Sequence, residues 1–434
     1  MELRNDSVKA GEEMLSFAKQ LFPLNRSIMG PDIRRTYDFF KAKHPDLKPL
    51  IFKSGDKVFD WIVPMEWSIR DAYLEHESGT KFADFRESNL HVMGYSEPVD
   101  MQLRKEDLIG KIHVHPFFKD AIPYVTSYYK RDWAFCMSSD QVAIMPEGTY
   151  KVFIDSTLED GELVLQELVI RGTSDHEIFF SSYLCHPSLA NDELSGPVLL
   201  SKLVEYVQSF PNLNYSYRFV LLPETIGSIA YLSKRIDTLK KNVICGFNLS
   251  CVGDERGFSR VASRQGNSIA DIALQSSLQE LDNVTHYTFM SRGSDERQYC
   301  APGVDLPLCT FSKSKVGAYE EYHSDKDNFD VVTAKGLAES YEVMTNIIAA
   351  FELGLYPKVR VLGEPQLGKR GLYPVTSKLN KGVHPAALRM NIISQCDGAT
   401  NSFDISNRLE VNLSKVLQEL RLLSSHDLVE LSAT

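Results

Sequence analysis

Ser181-Ser182-Tyr183-Leu184-Cys185-His186-Pro187-Ser188-Leu189-Ala190-Asn191-Asp192-Glu193-Leu194-Ser195-Gly196 is the stretch that decides the fold. It reads as a buried strand that ends at a histidine, turns through Pro187 and delivers an aspartate just before a helix begins. Open α/β sheets build their sites outside the carboxyl ends of their strands. His and Asp are both ligands for first-row metals, through imidazole nitrogen and carboxylate oxygen. The stretch therefore announces a strand-end site as well as a fold.

Outward from it, residues 151–355 alternate strands with helices, the pattern of a sheet covered by helices. Strands are predicted over 162–170, 177–184, 217–222, 243–249 and 306–311, and helices over 193–210, 226–239, 268–281 and 334–353. The fold class is α/β: a mixed, mostly parallel sheet with helices on both faces. Two helices, 12–21 and 31–43, precede it. Between about 50 and 150 short alternating runs such as 58–64, 90–93 and 141–145 read as strands of a mainly β insertion. After Pro357 a Pro/Gly/Lys-rich linker leads to helices at 388–394, from 402 and over 413–423, then a terminal strand at 428–431, the order of a small winged helix. The expected units are 1–48 (opening helices of the catalytic domain), 49–150 (inserted β domain), 151–357 (catalytic domain) and 358–434 (linker and winged helix).

At 434 residues the chain is long enough for several domains. A net charge of −11 argues against a general nucleic-acid or anionic-lipid surface. The start of the chain lacks a charged-then-apolar signal pattern, and no apolar run approaches membrane-spanning length. Seven cysteines without paired spacing fit a reducing, cytoplasmic compartment. From Leu388 onward four cations face six carboxylates, a net of −2. A DNA-reading helix needs a basic footprint, so no nucleic-acid partner is expected. Self-association stays open.

Three more strand ends carry chemistry. Pro223-Glu224-Thr225-Ile226-Gly227 puts a carboxylate after one strand, where it can take a proton from an activated water. Ser294-Asp295-Glu296-Arg297 is a polar loop before the last core strand. Tyr322-His323-Ser324 places a second histidine before the last core helix. His186, Asp192 and His323 give three ligands and an open fourth position, the arrangement of a catalytic zinc. His113 and His115 share one strand face, but with no partner carboxylate or cysteine near them in sequence they are expected to pack. Tyr128-Tyr129 and Asp132-Trp133 either overhang the site from the insertion or fill its core.

These residues resemble those of the zinc exopeptidase fold shared by bacterial aminopeptidases and glutaminyl cyclases. His186 matches the first metal histidine, and Asn191-Asp192-Glu193-Leu194-Ser195-Gly196 matches the Asp-Asn-x-Ser-Gly-type turn. Glu224-Thr225-Ile226-Gly227 matches the Glu-Glu-x-Gly motif, and Tyr322-His323-Ser324 with Asp327 matches the Tyr-His-Thr motif. The whole chain resembles a bacterial aminopeptidase-like family with an inserted β domain and a C-terminal winged helix that often accompanies polysaccharide biosynthesis. The resemblance implies one zinc ion per chain on His186, Asp192 and His323. Glu224 would be the base, with Asp295, Glu296, Arg297 and Tyr322 near the substrate. Arg292, Arg297 and Lys326 are the candidates for gripping a carboxylate. Thr225 and Ser250 stand where the family has its two remaining ligands, so a two-metal cluster is not expected. The implied activity is hydrolysis of a small peptide or acyl-amine by a metal-activated water. The alternatives are a single-zinc cyclase or acyltransferase, and a regulatory or binding protein working through the winged helix.

Overall fold

The computed structural model describes residues 3–373 and 385–432; part of the linker expected after Pro357 lies outside them. Its centre is an eight-stranded sheet. The order is Lys48–Lys53, Glu162–Ile170, Ser216–Leu222, Glu177–Tyr183, Val243–Leu249, Leu308–Ser312, Phe258–Val261 and Val284–Tyr287. The four middle strands, from Ser216–Leu222 to Leu308–Ser312, run parallel. Glu162–Ile170 and Phe258–Val261 flank them antiparallel. The sheet is thus mixed and mostly parallel at its core.

Burial of both faces explains the near-continuous apolar reading of the middle strands. Successive side chains point to opposite faces. Ile178, Phe180 and Leu184 enter the core under the helices Asn5–Leu21, Ser195–Gln208 and Ala334–Leu353. Phe179, Tyr183 and Cys185 enter the core under Ile226–Asn242. Glu177–Tyr183 lies between Ser216–Leu222 and Val243–Leu249 and is buried along its whole length. Its carboxyl end, where the quoted stretch turns, is therefore central. Gly196 permits the helix to begin there: a Cβ would sit 2.4 Å from Ser182 Oγ and 2.5 Å from the Leu249 carbonyl oxygen.

The insertion holds a four-stranded antiparallel sheet ordered Lys81–Phe82, Glu66–His76, Thr149–Glu159 and Val99–Arg104. It has its own core around Leu74, Phe135, Tyr150 and Ile154. Lys48–Lys53, which straddles the expected boundary at 48/49, pairs with Glu162–Ile170 in the main sheet. Two expected strands are helical in part. Residues 141–145 fall largely in the helix Ser139–Ala143, because Ser138 and Gln141 cap each other's backbone N–H groups. Residues 90–93 begin in the 3-10 turn Asn89–His91, capped by Ser88.

The tail forms the helices Pro385–Gln395, Ser402–Leu409 and Leu413–Ser425, with Val429–Ser432 pairing antiparallel to Tyr356–Val359. This is a winged helix whose strand partner comes from the start of the linker. Among the described residues no helix is long and apolar enough to cross a membrane.

Candidate metal centre

His186, Asp192 and His323 each bring one ligand atom to a common point, all within 4.8 Å of one another. Oδ2 of Asp192 and Nε2 of His323 lie 3.0 Å apart. Both atoms are buried; they face each other at ion-pair distance and neither has another hydrogen-bond partner. Leaving such atoms unpaired is costly unless something else satisfies them. Two imidazoles and one carboxylate suit zinc, so the residues present fit the implied ion.

Each ligand is aimed by its backbone. Asp192 sits at a kink, φ −94° and ψ 58°, within the π turn Ala190–Leu194, a distortion common at functional sites. The kink is held by Asp327, whose carboxylate accepts from Asn191 N at 2.7 Å and Asp192 N at 2.8 Å. His323 has φ +57°, a left-handed conformation to which histidine is better suited than most residues. Glu193 is fully buried and accepts from the backbone N–H groups of both Cys185 and His186. Its other oxygen accepts from Nε of the buried Arg26. Cys185, His186 and Glu193 also converge, but Glu193 is engaged by these donors and burial pushes the Cys185 thiol up to about 11. That group is a brace.

Burial opposes the charge on Asp192, but His323 and His186 outweigh it and hold the carboxyl below its usual range. On the far side, Tyr183 donates to Oδ1 of Asp192, and its oxygen lies 2.8 Å from Ser250 Oγ.

Glu224 follows the strand Ser216–Leu222 at a sharp elbow. The next residue, Thr225, has φ +62° and ψ −76°, a strained conformation for a β-branched side chain. Two contacts lock it: Thr225 N donates to Asp295 Oδ1 at 2.8 Å, and Arg297 Nη2 donates to Thr225 Oγ1 at 2.8 Å. Burial first, then the Asp295 charge, raise the Glu224 carboxyl to about 8. Burial also lifts Asp295 to about 6, against the pull of its hydrogen bonds to Thr225 N and Ser228 Oγ. Oδ2 of Asp295 is buried and without a partner.

The remaining expected residues divide. Tyr322 stacks on His323 with ring centroids 3.9 Å apart. Glu296, expected near the substrate, is spent elsewhere: Oε1 accepts from Gly293 N and Ser294 N, and Oε2 from Thr310 Oγ1 and Asn248 Nδ2. It holds the loop and has no lone pair to offer. Lys326 pairs with Asp120 at 2.7 Å, and Arg292 lies exposed over Phe289. Of the three carboxylate-gripping candidates only Arg297 adjoins Glu224.

The insertion does reach the site, through a residue the sequence reading missed. Tyr124 meets His186 and His323 edge-on, at 5.0 and 5.1 Å. Its hydroxyl is 3.1 Å from that of Tyr128. Tyr129 instead meets Trp61, and Asp132 pairs with Lys111 and Lys130. Two turns upstream, His115 Nδ1 accepts from Phe117 N and Phe118 N, so His115 is engaged in a turn. Tyr124 had no motif to mark it; only the fold brings it here.

Comparison with known proteins agrees with this architecture. The family model described as Domain of unknown function (DUF4910) matches residues 15–353, and a winged helix-turn-helix model matches 355–431. A Clostridium acetobutylicum protein provisionally named as a polysaccharide biosynthesis protein with an aminopeptidase-like domain is 37% identical over 417 residues, 95% of this chain and 94% of that one. A crystal structure of a provisionally assigned peptidase from Clostridium acetobutylicum superposes with a TM-score of 0.88 at 35% identity, covering 98% of this chain and 97% of that one. BSAP, a zinc aminopeptidase from Bacillus subtilis, superposes with a TM-score of 0.58 at 12% identity, over 80% of this chain and 96% of its own. At that identity the likeness speaks for the fold.

Proposed function

The chain belongs to the DUF4910 family and carries a C-terminal winged helix, and from that premise we propose that it is a single-zinc hydrolase of aminopeptidase type acting on a small peptide or acyl-amine. The observation that carries the proposal is the convergence of Asp192 Oδ2 and His323 Nε2, buried and without a partner beyond each other, with His186 beside them. His186, Asp192 and His323 would hold the ion. When bound, zinc supplies Lewis acidity, which lowers the pKa of water and polarises a carbonyl.

Everything else falls to the chain. Glu224, held at its elbow by Asp295 and Arg297, takes the proton of the attacking water and returns it to the leaving nitrogen. Arg297, which adjoins Glu224, grips a substrate carboxylate or carbonyl oxygen in this reading. Tyr124 and Tyr322 wall the histidines and limit water.

One ion is favoured over two because Thr225 and Ser250 supply no carboxylates, and Tyr183 already occupies Oδ1 of Asp192. A regulatory role through DNA is disfavoured by how the tail docks. The start of Leu413–Ser425 is engaged by the catalytic domain: Asn412 Nδ2 donates to the carbonyls of Ser277 and Gln279, and Lys415 pairs with Glu280. The test is hydrolysis of an aminoacyl-amide and acyl-amide panel by zinc-loaded protein, with Glu224→Gln as control. Release of amine that needs both zinc and Glu224 supports the proposal. Loss of ammonia without uptake of water points to a cyclase.

A further inference from the structure

Beside the metal centre the insertion and the catalytic domain line an open cavity of about 760 Å³. It is continuous with the site, because Tyr124 and His323 line both. The base is zipped shut: Tyr124 N donates to the His323 carbonyl at 2.8 Å, Asp325 N to the Ile122 carbonyl at 3.0 Å, and Ile122 N to Asp325 Oδ1 at 2.9 Å. The cavity is therefore preformed.

Its chemistry is one-sided. Among its lining residues there is no lysine or arginine, and Glu320 is the one carboxylate. Phe117, Phe118 and His115 form one wall, and Tyr319 and Tyr322 another. Phe117 is 86% exposed, yet its turn is built, not loose. Nδ1 of His115 accepts from Phe117 N at 3.2 Å and Phe118 N at 3.0 Å, and the imidazole stacks on Phe118 at 5.2 Å. A fixed aromatic edge facing a mostly apolar hollow offers stacking partners to a planar uncharged group, and only the imidazoles of His113 and His323 to an anion.

We propose that this cavity is the specificity pocket of the site and takes an uncharged aromatic group on one flank of the scissile amide. The proposal rests on the hydrolase reading for the amide, but the pocket is testable without it. Calorimetric titration of the full chain, metal-free and zinc-loaded, would compare N-acetyl-L-tryptophanamide with N-acetylglycinamide and the amide of N-acetyl-L-aspartic acid. The tryptophan derivative is expected to bind roughly tenfold tighter than either other probe in both forms. Phe117→Ala and Val114→Trp, both at exposed positions, should each remove that preference without lowering the melting temperature. Equal binding of the three probes, no measurable binding of any, or a preference that survives both substitutions would overturn the proposal. Zinc content of the same samples separates the readings. An aromatic preference in protein that takes up no zinc when loaded sinks the hydrolase and leaves the pocket; zinc uptake without the preference does the reverse.

Discussion

The hydroxyl of Tyr183 donates to Oδ1 of Asp192 and reaches Ser250 on its other side. One oxygen of the central carboxylate is thereby committed to the protein, and only Oδ2 faces the two histidines. This arrangement suits one ion. Tyr183→Phe should leave one zinc per chain but weaken its binding by about tenfold to a hundredfold, the usual effect of removing a group that orients a ligand. Competition with a chelator reads that affinity; an unchanged dissociation constant would show that Tyr183 does not orient Asp192.

Glu224→Gln keeps the size of the side chain and removes its basicity. Amide hydrolysis should fall by about 10² to 10⁴ while zinc content stays at the wild-type value. Loss of zinc in this variant would instead make Glu224 a ligand.

The raised carboxyl of Glu224 makes a stability prediction in the metal-free protein. Its ordinary value of 4.5 becomes about 8 when folded, so between those limits the folded state binds the proton more tightly. The contribution of Glu224 to stability is then fully present below about 4.5 and is lost as pH rises toward 8. Asp295, about 6 when folded, acts in the same direction. Metal-free Glu224→Gln should melt higher than wild type at pH 8 and gain nothing at pH 4. A parallel pair of melting curves would contradict the environment described for Glu224.

Arg26 and Glu193 form a fully buried ion pair behind His186. Arg26→Met leaves an uncompensated carboxylate in the core, which costs about 3–5 kcal/mol. Denaturant unfolding should show that loss, and zinc affinity should fall with it, because Glu193 holds the Cys185 and His186 backbone. Full affinity in a destabilised variant would confine the pair to folding.

The sheet and the convergence of His186, Asp192 and His323 are legible because each depends on a short, local pattern. Buried strands ending in His186, Glu224 and Ser250 appear as apolar runs followed by polar residues. The edge strands Phe258–Val261 and Val284–Tyr287, four residues each, were not, since half-exposed short strands look like loops. Residues 141–145 misled because an apolar run of that length fits either state, and the cap at Ser138 decided for helix. The loop-bracing bonds of Glu296 leave no trace in the sequence, because its partners Thr310 and Asn248 come from neighbouring strands. Arg26 and Tyr124 are far from the ligands in sequence and are delivered by the fold alone.

The docking of the tail gives a further expectation. With Asn412 and Lys415 engaged by the catalytic domain and a net negative tail, a random DNA duplex should show no mobility shift at physiological salt. A salt-sensitive shift would mean that the winged helix undocks.

The most direct test of the account is the metal stoichiometry of the purified full chain, by elemental analysis, with His186→Ala, Asp192→Asn and His323→Ala beside it. One zinc per chain in the wild type and substantially less in each variant is the expected result. Two ions per chain, or one ion retained in all three variants, would contradict it.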